Sequence, residues 1–458
     1  MLGDVVRAKN DPLLLGAALA FQPALLLAQT LASVLFLETF WLAFSILFVA
    51  SDVAVTVALV LLARSDRERA TARASAVLAA FVTLSSLLAV VRYWSPRGTI
   101  AAVQPLASSA AEPVAFVLAV VVFGMIASIA RAAETRHRIV ATLGFVLLTC
   151  IAIVGKVLRL GASEGRSAAG AWFGLVLEVA RAAVPIALAI ATSRVMTARQ
   201  QKTAASGSPY RSAEIVEEPP VKLEESSWRD ALAGLRTMQI ALFVRVGVGV
   251  FFAVVFGALV NSSAANRMPG VLAQMVPAVS LAGAILTLRG YLRARPLGSV
   301  GSARAGWLVA QMFWAFVALV DVVTLMFGIS AALESHPDRL KSMLGFVAMP
   351  GTMTVFLELG ASLWTARALR RAGEAFGDQP AAKGAGFVIG VGIVAAGTAF
   401  GAIGATWGAL DTYERLPAEV FTYGLVLVAI VTTGATLVLL GRSFGTMRGT
   451  IERAISDR

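Results

Sequence analysis

An all-α fold of twelve membrane-spanning helices, in two halves of six, is what this sequence predicts, and three observations predict it. The first is composition. Of 458 residues, 58% are hydrophobic and 14% charged, with a mean hydropathy of +0.79. An average soluble domain is about 45–50% apolar and about 25% charged. A soluble chain of this length would lack the polar groups to cover its exterior. The second is a series of apolar runs long enough for a bilayer core, which takes about 20 residues of helix. The third is a basic bias that alternates from one connection to the next. A soluble enzyme and a nucleic-acid-binding protein are excluded on the first count; the net charge of +12 is what loop-borne Lys and Arg contribute in membrane proteins.

The runs, taken in order, place spans at 12–36, 39–63, 74–94, 109–130, 139–160 and 171–194, then at 238–260, 271–288, 307–331, 344–365, 385–409 and 420–440. Strand-type alternation is missing, and the runs are far longer than barrel strands. Only Leu37 and Glu38 part the first two spans. Fused, they would make a helix of about 54 Å, too long for a core of about 30 Å even when tilted. The first run carries Pro23 and has no small-x-small cleavage site, so it is expected to stay in the protein rather than leave as a signal peptide.

Loop charge orients the chain. Arg64, Arg67, Arg69 and Arg73 follow the second span, Arg131, Arg136 and Arg138 the fourth, and Arg289, Arg293, Arg295 and Arg304 the eighth. Connections on the other side hold few basic residues, among them Arg97, Arg166 and Arg267. By the positive-inside rule both ends face the cytoplasm. The excess of Arg over Lys and the abundance of Ala read as a GC-rich bacterial genome, hence a bacterial inner membrane.

Between the sixth and seventh spans the chain is rich in Ser, Glu and Pro, without apolar periodicity. It reads as a flexible linker ending in a helix start near Trp228. Residues 1–196 and 228–458 then form two six-helix bundles joined by 197–227. The run GLVLEVARAAV from Gly174 and the run GLVLVAIVTTG from Gly424 fall at matching places. If the halves are duplicates, they form a parallel repeat about an axis along the membrane normal.

Ionisable residues inside a membrane cost roughly 2.5–3.5 kcal/mol at a helix centre on insertion scales, and persist where they pair or line water. Seven lie within the spans: Asp52, Lys156, Glu178, Arg181, Arg245, Asp321 and Glu358. Lys156 is placed to snorkel. Glu178 and Arg181, three apart, can pair on one helix face; alternatively Arg181 meets an anion or Asp52. Asp52 and Asp321 sit mid-span without a basic neighbour one turn away. Each must find a partner, bind a cation or carry a proton; Arg181 and Arg245 are the candidate partners. Glu358 follows Pro350 and Gly351, and Pro23, Pro185 and Pro277 are further candidate kinks. Asp52, Arg181, Arg245, Asp321 and Glu358 are therefore the candidate substrate- or ion-binding residues.

Within the eleventh span, residues 386–408 are glycine-rich. Gly390, Gly397, Gly401, Gly404 and Gly408 share a face, which admits a neighbouring helix within the chain or, through the same surface, a second copy.

The layout resembles the major facilitator superfamily: twelve helices, both ends inside, six plus six, a long central loop. In LLARSDRERATARAS, Asp66, Arg67 and Arg73 stand where that family carries an acid and spaced basic residues. Its loop glycine and its GxxxGP run in the fifth span are missing here, so the likeness is one of topology.

Catalytic readings have little to stand on. The two histidines, His137 and His336, fall in polar connections, and Cys150 is the only cysteine. No nucleotide-binding lysine loop is present. The expectation is not an enzyme, and no cofactor or metal, but a transport protein in a lipid bilayer, most simply an ion- or proton-coupled secondary transporter of a small solute, with its site near the midplane between the halves. The alternatives are a membrane scaffold, assembly or sensor subunit, or an ion channel.

Overall fold

The computed structural model describes residues 41–65, 69–94, 99–131, 225–260, 269–300, 303–333, 337–410 and 415–456. The first, fifth and sixth expected spans, most of the linker, and Lys156, Glu178 and Arg181 lie outside these residues. What is described is almost wholly α-helical, with no strand among the described residues. The helices are α1 (Trp41–Ser65), α2 (Arg69–Trp94), α3 (Thr99–Arg131), α4 (Glu225–Val260), α5 (Pro269–Arg293), the short α6 (Arg295–Gly298), α7 (Arg304–Leu333), α8 (Pro337–Ala375), α9 (Gln379–Leu410) and α10 (Arg415–Ser456). Apart from α6, each covers one expected span: the second to fourth and the seventh to twelfth. By length and composition, five stretches among them can cross a membrane: Arg69–Trp94, Val103–Val122, Arg304–Phe327, Gln379–Thr406 and Val420–Ser456.

Most helices outrun their apolar segments at the arginine-bearing end. α4 starts at Glu225, just ahead of Trp228, and α10 continues to Ser456. Hydropathy reports only the apolar part of a helix, whereas backbone hydrogen bonding continues wherever residues have adequate helix propensity. The sequence GRSFGTMRGTIERAIS supplies that, with Arg448 and Glu452 paired one turn apart at 3.2 Å.

The chain divides into two compact units, one of residues 1–214 with 397–429, the other of 215–396 with 430–458. In the first unit α1 packs on α2 and α2 on α3. Gly397 abuts Leu78 of α2, and Gly401 abuts Val114 of α3 and Leu425 of α10. Gly404 lies against the Ser109 carbonyl and Pro113 of α3. Pro113 stands inside α3 and has no N–H to give to Ser109, four residues back. The glycine backbone of α9 therefore meets a carbonyl that its own helix leaves free. The glycine face read from the sequence is, at these positions, covered by this chain's own helices.

In the second unit α4 packs on α5, α5 on α7, and α7 on α8. The core contains Leu235, Met238, Tyr291, Trp307, Trp314, Leu369 and Phe444. α7 shows how the unit is turned toward lipid. Its exposed stripe is Leu308, Met312, Phe316, Leu319, Val323 and Met326, all apolar and as much as 65% exposed. Its buried stripe is Trp307, Ala310, Trp314, Val317, Asp321 and Thr324. Both follow the three- and four-residue spacing of one helix face. A helix whose outside is more apolar than its inside is stable with hydrocarbon around it, so the structure supports a multi-pass membrane protein.

α8 and α9 are joined by a tight turn. Gly377 adopts φ +72°, a left-handed conformation open to glycine at little cost. The Asp378 N–H donates to the Gly373 carbonyl at 2.9 Å and the Gly377 N–H to the Glu374 carbonyl at 3.2 Å, which closes α8 in a Schellman motif. Asp378 then caps α9, accepting from the Ala381 N–H at 3.1 Å. It also accepts from Thr450 at 2.6 Å and Arg453 at 2.7 Å, both of α10. The Thr450 hydroxyl, then the Ala381 N–H, hold its carboxyl below the ordinary value of 3.8. A depressed carboxyl contributes stability that is present above the unfolded value and lost as pH falls through the folded one. Melting temperature in detergent is thus expected to drop as pH falls below about 4. In Asp378→Ala, which loses the cap at a cost of about 1 kcal/mol, that part of the pH dependence disappears.

Candidate functional site

Four charged residues are buried as a whole among the described residues: Asp52, Arg245, Asp321 and Glu358. All four were candidates from sequence. Three of them meet in the second unit.

Arg245 extends the buried stripe of α4, following Ala231, Leu235, Met238 and Leu242 at helical spacing. Asp321 lies two turns from Trp314 on the buried stripe of α7, and Glu358 one turn from Thr354 on α8. Packing of α4, α5, α7 and α8 brings these stripes together. Arg245 Nη2 contacts Glu358 Oε1 as an ion pair and stands 4.0 Å from Asp321 Oδ2. Its Nη1 donates to the Ser280 carbonyl, and Nη2 to the Ser280 hydroxyl at 2.7 Å. Ser280 passes the contact on, donating to Asp321 Oδ2 at 2.6 Å. Thr354 donates to the other oxygen, Oδ1, at 3.3 Å. The guanidinium also lies 5.4 Å from the centre of the Trp314 ring, within cation–π range. Gly283 leaves room for the arginine stem: a methyl there would come within 2.6 Å of Arg245 Cγ.

The side chains of Arg245 and Asp321 are 6% and 4% exposed. Burial at this level is tolerable only for charges that are paired and hydrogen-bonded. Arg245 pairs most closely with Glu358, while Asp321 forms a second, longer ion pair at 4.0 Å and is also linked through Ser280. Two acids share one base here, so the three side chains are electrically balanced when one proton, or one monovalent cation, is bound among them.

Below the cluster, toward the end bearing Arg304, the polar stripe continues. Ser362 lies one turn past Glu358 on α8 and is fully buried, and its hydroxyl has no hydrogen-bond partner. Trp314, also fully buried, has its Nε1–H beside the Tyr291 hydroxyl without closing a well-formed hydrogen bond. Tyr291 is hydrogen-bonded to Thr365, and its carbonyl accepts from Trp307 Nε1 at 3.4 Å.

In the first unit Asp52, on α1, accepts from Ser86 of α2 at 2.6 Å. Beside it the Thr56 hydroxyl donates to the Asp52 carbonyl at 2.9 Å and lies 3.2 Å from that of Thr83. Arg181, the other residue singled out from sequence, lies outside the described residues.

Sequence reasoning missed Ser280, Thr354, Trp314, Ser362 and Ser86. A signal existed for the second unit: these residues fall in phase with the buried stripes of their helices. Which stripes face one another is a property of packing, which periodicity along one helix does not contain.

Comparison with known protein families, with curated proteins and with solved structures yields no match to this chain.

Proposed function

We propose that this chain is a membrane transport protein, an ion- or proton-coupled carrier of a small solute, in which Arg245, Asp321 and Glu358 form the coupling group. One observation supports this above the others: a buried cluster with one base between two acids, of which Asp321 lies within a helix long and apolar enough to cross a membrane. A purely structural ion pair needs one acid. The second gives Arg245 two partners, and its Nη2 already lies within ion-pair range of both. With the proton on Asp321, Arg245 is drawn to Glu358; with the proton on Glu358, it is drawn to Asp321. Both arrangements are neutral, so exchange between them avoids the cost of a bare charge in the interior. Asp52, hydrogen-bonded by Ser86, is the corresponding acid of the first unit. A bacterial inner membrane with the arginine-rich helix ends in the cytoplasm is the setting we assign. Neither an enzymatic role nor a cofactor enters this reading.

A second reading is a non-transporting scaffold or sensor subunit. The burial of the cluster favours it, because a permanently enclosed group does no transport. Charge displacement separates the two. Proteoliposomes adsorbed on a solid-supported membrane are expected to give a transient current after a pH or sodium step, and Asp321→Asn is expected to remove most of it. Absence of that current in the unsubstituted protein, or a current that survives Asp321→Asn undiminished, overturns the coupled-transport reading in favour of the scaffold.

A further inference from the structure

We propose that a proton path runs through the second unit from Tyr291 to Asp321, with water held between Ser362 and Trp314 as its middle link. The inference rests on the coupling role of the Arg245 cluster and names its ion and its route.

The groups are ordered by depth along three helices. On α5 the series is Ser280, Thr287, Tyr291; on α7 it is Asp321, Trp314, Trp307; on α8 it is Thr354, Glu358, Ser362, Thr365. Each series runs from mid-helix toward the end carrying Arg293 and Arg304. Asp321 to Trp307 is fourteen residues of helix, about 21 Å. The upper part is continuous in polar contacts, from Asp321 through Ser280 and Arg245 to Glu358. The lower part is continuous too, from Thr365 to Tyr291. Between them in depth along the helices lie Ser362 Oγ and Trp314 Nε1, both completely buried, the first without a hydrogen-bond partner and the second without a well-formed one. Buried polar atoms are nearly always satisfied, by water where protein does not reach. A hydroxyl and an indole N–H flanked by a carboxylate above and a phenol below are the donors and acceptors a bound water requires. A water there completes a chain of exchangeable protons.

The transfer balances in protons and charge. A proton entering past Tyr291 and Thr365 reaches Glu358 through the water, and the Glu358–Arg245 pair opens. Arg245 draws closer to Asp321, whose own proton passes to the Thr354 hydroxyl at Oδ1 and on from there, away from Tyr291. One proton enters as one departs, and the cluster returns to neutrality. The titratable and charged groups facing it are few. α4 brings Arg245, α5 Tyr291, α7 Asp321 and α8 Glu358. Residues 384–396 of α9 and 430–441 of α10 contain none.

The test is infrared spectroscopy of the full chain in lipid, following the protonated-carboxyl C=O band on transfer to deuterium oxide. One such band is expected to vanish in both Asp321→Asn and Glu358→Gln, since removing either acid leaves Arg245 with a single partner. In Ser362→Val the band is expected to persist at full amplitude while its deuteration slows by about tenfold, the factor for losing one hydrogen-bonded link. Ser362→Ala adds a reading of the bound water itself. If the hydroxyl holds water, the melting temperature falls by a few degrees; if the site is dry, removal of an unsatisfied hydroxyl leaves it unchanged or raises it. A band that deuterates at the unsubstituted rate in Ser362→Val, or a raised or unchanged melting temperature in Ser362→Ala, overturns the path while leaving the coupling group standing. Absence of any band sensitive to Asp321 and Glu358 overturns both.

Discussion

Arg245→Met is expected to be the most damaging single substitution in the second unit, lowering stability by about 3–5 kcal/mol. The loss comes less from the ion pair itself than from what is left behind. Glu358 and Asp321 would remain buried on α8 and α7 with their shared base gone, and Ser280 alone cannot stand in for a guanidinium. Methionine keeps much of the arginine stem, so the void is small and the electrostatic part dominates. Adding Glu358→Gln to Arg245→Met is expected to recover most of the loss, since the remaining acid can sit neutral between the Ser280 and Thr354 hydroxyls. Unfolding of the single and double variants in bicelles measures the coupling directly. Additive losses would show that Arg245 and Glu358 do not act as a pair.

The second large effect is expected in the first unit. Gly404→Leu should cost about 3 kcal/mol, the upper end for overpacking, because the side chain meets backbone. A first carbon at position 404 would already collide with the Ser109 carbonyl and come within 2.7 Å of Pro113 Cγ. Neither can turn aside: a carbonyl has no rotamer, and a proline ring inside a helix is fixed. Gly424 and Gly434 of α10 are the controls, since a Cβ at either finds nothing within 4 Å. Leucine at those sites should change the melting temperature little. Equal losses at positions 404 and 424 would show that α9 and α3 do not make this close approach.

These two expectations draw on different kinds of information, and only part of each was legible in the residues. Asp321 and Arg245 stood out because a charge in an apolar run is rare and costly. Their meeting through Ser280 did not, since the rotation of α4, α5 and α7 about their own axes is not written in the sequence and any of several helices could have faced Arg245. Gly404 belonged to a recognisable glycine face, but Pro113 and the free Ser109 carbonyl opposite it were not anticipated. The helices also run beyond the apolar spans. Hydropathy marks where a helix is apolar, and α8 and α10 continue into polar sequence where hydrogen bonding still holds them together.

The residues alone determined that this is a helical membrane protein and where its mid-span charges lie, because both follow from local chemistry: the cost of apolar surface in water and of ions in hydrocarbon. Tertiary structure decided which charges pair, which hydroxyls join them and which glycines are closed over. Those outcomes depend on how helix faces are rotated against one another, and each rotation is set by packing with every neighbour at once rather than by any single stretch of chain.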